Sequence, residues 1–521
     1  MKWARLIFLC LIGLLSHTAP VVAELSPVGV ASGINERPSG KSAGKVHVMF
    51  ALDTEVGYDV SVYGNRLHDK LMNWYGTTYA GSVLKSLTDS VNRSDDRDSY
   101  NRPLKFTWFV AAMEPYCTSV EGDCGIVYSA LVDGIPAWPE LSGWSRQLAT
   151  WGDEIQFHYH HMEWSDLDGN GRYWWNQLLS FDSSNDQMIR KMLNHLLLDK
   201  GFFPGSYRGG WVWEDNNLST FLEEWFPFDF SNLSPMKRVW DGQDFRFDIY
   251  DWSQASLAHT FYHPGVDNYQ RPGDMSRLVL RCRNGYSRSY IDSIFQAASL
   301  TDQCLCLYSH LGGHLVRQAD SLQEYLQDAS IVHGIPFSYV TAAEMTRAYL
   351  NSTDTIPPVL TAWITGDSLF VESSEPIYQR RPYVAVKSTD GSLANIDMQQ
   401  IGDNMWAGLL SDVDSPCQVG IAVTDPSGNT STLQITVPRP GDISHDCTVN
   451  LVDLVHLVSY MFEKGQQPAP YLAGDMDGDC IINVADITYL IDYLYGGGPE
   501  PAVCAVPTSK AQRNSEIGVQ D

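Results

Sequence analysis

Basic residues are scarce in this sequence. Lys and Arg total 35 against 62 Asp and Glu, a formal net charge of −27 over 521 residues. That balance excludes nucleic acid and anionic membrane surfaces as natural partners, and it suits cation binding. Long apolar runs are lacking too. The N-terminal run from Leu6 to Leu15 falls well short of the roughly 20 residues that a membrane span needs, and no later stretch is longer, so no transmembrane segment is expected in the mature chain. Cysteines number only ten. Aromatic residues, by contrast, are plentiful, with 16 Trp and 26 Tyr; such rings stack on sugars but also fill cores.

The opening segment, MKWARLIFLCLIGLLSHTAPVVA, has Lys2 and Arg5, then the apolar run, then small residues up to Ala23. This is the plan of a signal peptide over residues 1–23, followed by a linker over 24–44, and it predicts a secreted protein. Export permits disulfides. Removing Cys10 leaves nine cysteines. Cys117 is spaced to pair with Cys124, and Cys282 with Cys304 or Cys306, while the odd number leaves a thiol over.

Three segments follow. Over residues 45–350, the apolar strands VHVMFAL, LKFTWFVAA, EIQFHYH, PFDFSN, RLVLRC, CLCLYSH and PFSYVTA alternate with helical stretches such as DQMIRKMLNHLLLDK. The pattern predicts an α/β parallel sheet or (β/α) barrel. Over 355–438 the strands are short, alternating and separated by turns, which predicts a small all-β sandwich, immunoglobulin-like in plan, acting as a spacer or sugar-binding module. Over 441–499, GDISHDCTVNLVDLVHLVSYMF and GDMDGDCIINVADITYLIDYLY align without a gap, an internal repeat. Residues 500–521 are polar and read as a disordered tail.

Each repeat carries oxygen ligands at loop positions 1, 3, 5 and 12: Asp442, Ser444, Asp446 and Asp453, then Asp475, Asp477, Asp479 and Asp486. The carbonyls of Thr448 and Ile481 fall at position 7, and Asn450 and Asn483 at position 9. Hard Ca²⁺ takes 6–8 such oxygens, so two Ca²⁺ ions are expected. Apolar residues at helical spacing then open a small all-α unit. These paired loop–helix units, with Asp at position 12, resemble a type I dockerin. The resemblance implies docking to a cohesin-like scaffold protein. The family's usual Gly at position 6 is Cys447 and Cys480 here, so either the turn differs or the two cysteines cross-link it. A further acidic run from Asp166, DLDGNG, has Gln177 at position 12 and reads as a surface turn.

In the large segment, polar groups fall at strand ends, where α/β barrels place their chemistry. FALDTE offers Asp53 and Glu55. In GDEIQFHYHH, strand alternation turns His158 and His160 to one side and His161 to the other. Two imidazoles and a carboxylate with an open position make a catalytic divalent-metal site. GSYRGGWVWED presents Arg208 in a Gly-rich turn, FPFDFSN presents Asp229, and LYSHLGGH presents His310.

Taken in order, these motifs resemble the polysaccharide deacetylase family, the distorted NodB-like (β/α) barrel. The resemblance implies metal-dependent removal of acetyl groups from a polysaccharide or glycan. Asp53 would be the general base, Arg208 its orienting partner, and His310 the general acid tuned by Asp229. The family's second Asp is Thr54 here and its second His falls at Met162, so Glu55 or Asp53 with His158 and His160 would hold the metal, zinc being the first candidate. Two other readings compete: a glycoside hydrolase using Asp53 or Glu55 with Asp229 as its carboxylate pair, and a non-catalytic carbohydrate-binding scaffold.

Overall fold

The computed structural model describes residues 44–54, 57–58, 71–72, 95–110, 113–117, 124–128, 151–167, 169, 171, 174–240, 242, 246, 249–283, 285–310, 315–469 and 471–502. The signal-peptide segment, most of the 24–44 linker, Glu55 and most of the C-terminal tail lie outside them. So do the side chains of Cys117, Cys124 and His310.

Seven parallel strands close into a barrel: β1 (Val46–Thr54), β2 (Phe106–Val110), β3 (Glu154–Tyr159), β4 (Ser206–Gly209), β5 (Phe228–Asn232), β6 (Leu278–Arg283) and β7 (Gln303–His310). They neighbour one another in chain order, and β7 returns to β1 with Val46–Asp53 in register with Gln303–His310. A short eighth strand, β8 (Phe337–Tyr339), pairs with Val46–Val48 along the same edge on which β2 takes Phe50–Thr54.

Both faces of the wall are apolar, as a covered parallel sheet requires. Val46, Val48, Phe50 and Leu52 pack outward beneath the helices. Met49 and Ala51 point into a lumen filled by Phe109, Phe230, Leu280, Cys282 and Cys306. The outer layer includes α1 (Ser183–Lys200), α2 (Asn216–Trp225), α3 (Arg288–Ala298) and α4 (Leu315–His333). Helix α1 starts at a capping box between Asp182 and Asn185 and stops at Gly201, whose φ of 61° glycine adopts without strain. The last barrel helix, α5 (Ala342–Leu350), places Ala342 and Met345 in the lumen cluster. Strand β4 is only four residues long, SYRG, and carries Arg208 just before the Gly-rich turn that the sequence shows. Cys282 and Cys306 of adjacent strands form a disulfide, and Cys304 is a buried free thiol.

The next unit is a sandwich of two four-stranded antiparallel sheets. One holds strands Leu360–Thr365, Ser368–Ser373, Met405–Leu409 and Gln399–Gly402; the other holds Leu393–Asn395, Tyr383–Ser388, Pro416–Thr424 and Thr430–Thr436. It does not behave as a loose spacer. Tyr383, Ala385 and Ala422 belong to the same buried cluster as the barrel's outer layer. The Tyr383 hydroxyl donates to Asn194 Oδ1 at 2.7 Å, and a Cβ at Gly420 would stand 2.8 Å from Leu197 Cγ.

The acidic repeats form two loops opening α6 (Leu451–Glu463) and α7 (Val484–Ile491) around Ile443, Leu457, Ala473, Met476 and Leu490. Cys447 and Cys480 do not pair with each other. Cys447 bonds to Cys417 of the sandwich, and Cys480 is bonded elsewhere.

Candidate active site and acidic loops

Asp53, His158, Arg208 and His310 all lie at or next to the C-terminal ends of parallel strands, so they share one mouth of the barrel. Alternation sets their faces. Phe157, Tyr159 and Tyr207 pack outward, which turns His158 and Arg208 inward. Arg208 crosses the lumen to Asp53, with Nε donating to Oδ1 at 2.7 Å, and both side chains are buried. Its guanidinium also donates to the Phe230 carbonyl and stacks 3.9 Å over the Tyr308 ring. Its Nη2 is buried without a hydrogen-bond partner. His310 ends β7 in direct register with Asp53.

His158 Nδ1 lies 2.9 Å from the Arg208 carbonyl. A carbonyl only accepts, so Nδ1 carries the proton and Nε2 presents a lone pair. That Nε2 stands 3.1 Å from His160 Nε2. Two nitrogens held by one tetrahedral zinc at 2.0–2.1 Å would be roughly 3.3 Å apart, so the pair fits a shared N-donor ion. The Arg208 carbonyl is then the outer partner that fixes the ligand's tautomer. Among the described residues, no group of three metal-binding side chains gathers at this mouth within 4.8 Å. Asp53 therefore does not complete the set, and Glu55, the other carboxylate expected to do so, lies outside the described residues.

The glycine pair of YRGGW explains how His160 is held. A Cβ at Gly210 would fall 2.4 Å from His160 Cγ, and one at Gly209 would fall 2.7 Å from the Trp213 carbonyl. The chain then turns through Trp211 and Val212 at φ of 49° and 53°, left-handed conformations that side chains resist. Trp252 Nε1 pins this turn by donating to the Val212 carbonyl at 2.7 Å. The result sets the half-buried Trp211 ring edge-on to His160 at 4.7 Å. The sequence places Trp211 and Trp213 after a Gly-rich turn without showing that this wall encloses His160. The GG pair before two tryptophans was the signal available for it.

His161 faces the other way, as expected. It sits behind the wall with Nε2 2.7 Å from the Tyr207 hydroxyl, and burial first, then His160 and His158, push its pKa down to about 3.

Asp229 departs from expectation. Phe228 and Phe230 of the same strand point into the lumen, so Asp229 points out, beneath α2. Its Oδ1 accepts from the Ser231 backbone N–H at 2.7 Å and from the Ser231 hydroxyl, and its Oδ2 accepts from Arg277 Nη1 at 2.7 Å. Arg277 also pairs with Glu214 and donates to the Ser219 hydroxyl. All three side chains are fully buried. Burial pushes the Glu214 carboxyl well above its usual range despite Arg277. This network ties the barrel wall to α2, and no motif in the sequence marks Arg277 or Glu214 for it.

In the tail, ligand oxygens of Asp442, Asp446 and Asp453 lie within 4.8 Å of one another, as do those of Asp475, Asp477 and Asp479. Asp453 and Asp486 are fully buried, each capping its own helix and accepting backbone N–H groups of its loop. Asn450 and Asn483 donate to the position-7 carbonyls of Thr448 and Ile481, each at 3.2 Å. Ser444 Oγ is buried with no hydrogen-bond partner. An orphaned oxygen among converging carboxylates is what a hard oxygen-seeking cation would satisfy. Burial first, with neighbouring carboxylates adding, pushes Asp442 and Asp475 above the usual carboxylate range. The run from Asp166 is a turn: its carboxylate accepts from the Gly169 and Gly171 N–H groups at 2.9 and 2.8 Å, and Gln177 is buried facing Ile249.

The fold and site together define a parallel-barrel protein with a His pair and an Asp–Arg pair at one mouth. No family model and no curated protein matches the sequence. Solved structures similar to the chain include an engineered protein at 13% identity and TM-score 0.22, covering 75% of this chain and 92% of that one. An alpha-L-fucosidase from Bacteroides thetaiotaomicron gives 10% and 0.23, covering 74% and 92%. A carbohydrate acetylesterase from Xanthomonas citri gives 10% and 0.14, covering 75% and 78%. The last two are carbohydrate-acting enzymes, but overlaps this low decide nothing about this chain's chemistry. No helix among the described residues is long and apolar enough to cross a membrane.

Proposed function

We propose that this protein is a secreted, metal-dependent hydrolase that removes acetyl groups from a polysaccharide or glycan. In this reading its acidic loops each bind Ca²⁺, and the dockerin-like tail attaches it to a cohesin-like partner. The observation carrying the enzymatic reading is the convergence of the His158–His160 pair and the buried Asp53–Arg208 pair on one barrel mouth. His158 and His160, with Glu55 as the expected carboxylate, would hold a divalent ion such as zinc. Bound there, such an ion supplies Lewis acidity, acidifying water and polarising a carbonyl.

The chain's own residues do the rest. Asp53 accepts the proton of the attacking water, and Arg208 fixes that carboxylate through Nε. The buried, unpartnered Arg208 Nη2 is a donor for the substrate. Gly210 and Trp211 enclose His160 and limit water at the mouth. His310, in register with Asp53, serves as the acid that protonates the leaving oxygen or nitrogen, since one group must take a proton and another give it. The glycoside hydrolase reading needs two carboxylates about 5–10 Å apart across a scissile bond, and Asp229 is unsuited to it, being fully buried against Arg277 behind the wall. Acetate release from acetylated xylan and from N-acetylated chito-oligosaccharides tests the proposal. Turnover should require added divalent metal, and glycan binding without acetate release under every metal tried would select the scaffold reading instead.

A further inference from the structure

Position 6 of each acidic loop turns through the left-handed region, at φ of 72° for Cys447 and 70° for Cys480. Glycine enters that region freely, whereas a residue with a Cβ resists it. The turn has a task, because it aims the position-6 N–H at the first carboxylate of its own loop. Cys447 N donates to Asp442 Oδ2 at 3.1 Å, and Cys480 N to Asp475 Oδ2 at 2.9 Å. In the first loop Cys447 is tied to Cys417, a buried residue of sandwich strand Pro416–Thr424, with the two Cα atoms 5.5 Å apart. Cys417 is itself fixed at that end, its carbonyl accepting from the Val437 N–H at 2.7 Å. The anchor therefore lies in a different unit from the loop that it holds.

We propose that the Cys417–Cys447 disulfide does the work of the missing glycine: it straps the first loop to the sandwich and holds position 6 in the turn that cation binding needs. This rests on the calcium reading above. Without the strap, residue 447 would have to be driven into the left-handed region each time an ion binds, and affinity would fall by that cost. The second loop has its own bonded cysteine and is left untouched by opening the first, so it serves as an internal control.

The test is calcium titration by calorimetry of the full chain as wild type, as Cys417→Ser/Cys447→Ser and as Cys417→Ser/Cys447→Gly. Wild type should take up two ions. The Ser pair should weaken one site by about tenfold or more and leave the other alone. The Gly variant, which also lacks the disulfide, should recover most of that loss. Equal affinities in wild type and the Ser pair would overturn the inference while leaving the calcium reading intact. A Gly variant as weak as the Ser pair would also overturn it, since the turn would then not be what the strap supplies. A wild type that takes up no calcium overturns both.

Discussion

Replacing Gly210 with Ala adds one carbon atom, and the structure says where it goes. The new Cβ would stand 2.4 Å from His160 Cγ, 2.5 Å from Cδ2 and 2.8 Å from Cα. Carbon atoms rest about 3.5–4.0 Å apart, so the ring or the backbone must yield by roughly 1 Å or more. His160 cannot swing aside cheaply, because Trp211 closes one side and His158 Nε2 stands 3.1 Å from its own Nε2. Overpacking of this kind costs about 1–3 kcal/mol of stability. Disturbing what orients a metal ligand costs about 10–100-fold in metal affinity or activity. Zinc affinity by competition with a chromophoric chelator and thermal unfolding would be measured on wild type, Gly210→Ala, His160→Ala and the double variant. The stability cost should shrink but not vanish in the double variant, where the ring is gone while His160 Cα still stands 2.8 Å from the new carbon, giving a non-additive cycle. A Gly210→Ala protein with wild-type metal affinity and melting temperature would refute the close-packed His160.

Other outcomes follow from the same geometry. Asp53→Asn keeps the shape but leaves Arg208 buried without its counter-charge; unfolding titrations should show a loss of about 3–5 kcal/mol, and acetate release should fall by at least about 10²-fold. Asp229→Asn should cost a similar amount of stability by opening the Arg277 network, yet leave kcat per folded molecule unchanged, and a selective loss of kcat would return Asp229 to the mouth. In the calcium-free tail, Asp442 and Asp475 titrate above their unfolded values, so their contribution favours the fold at low pH and is lost as pH rises through their raised values. Hydrogen-exchange protection of α6 and α7 in chelator, corrected for the intrinsic slowing of exchange at lower pH, should therefore rise on acidification from neutrality into the carboxylate range. With saturating Ca²⁺ the trend should reverse, because protons then compete with the ion.

The sequence disclosed some of this and hid the rest for physical reasons. The facing of His158 and His160 was legible because two-residue alternation carries on past the end of β3, and Phe157 and Tyr159 mark the opposite face. Asp229 was misplaced because a parallel strand covered on both sides is apolar on both sides: FDF shows that Asp229 alternates with its neighbours without saying which face is the lumen. Strand β4 was legible only as the strand end before a Gly-rich turn; what the sequence does not show is that Gly209 and Gly210 are small because the Trp213 carbonyl and His160 press on them. The repeat spacing placed the two acidic loops directly. The Cys417–Cys447 bond could not be read from it, since one partner belongs to a different unit.

The central claim is that His158 and His160 jointly hold a divalent ion, and metal content measures it most directly. Purified full-length protein dialysed against zinc and analysed by mass spectrometry should carry an ion that is lost in both His158→Ala and His160→Ala and kept in His161→Phe, whose site lies behind the wall. Full metal retention in both alanine variants would contradict the account.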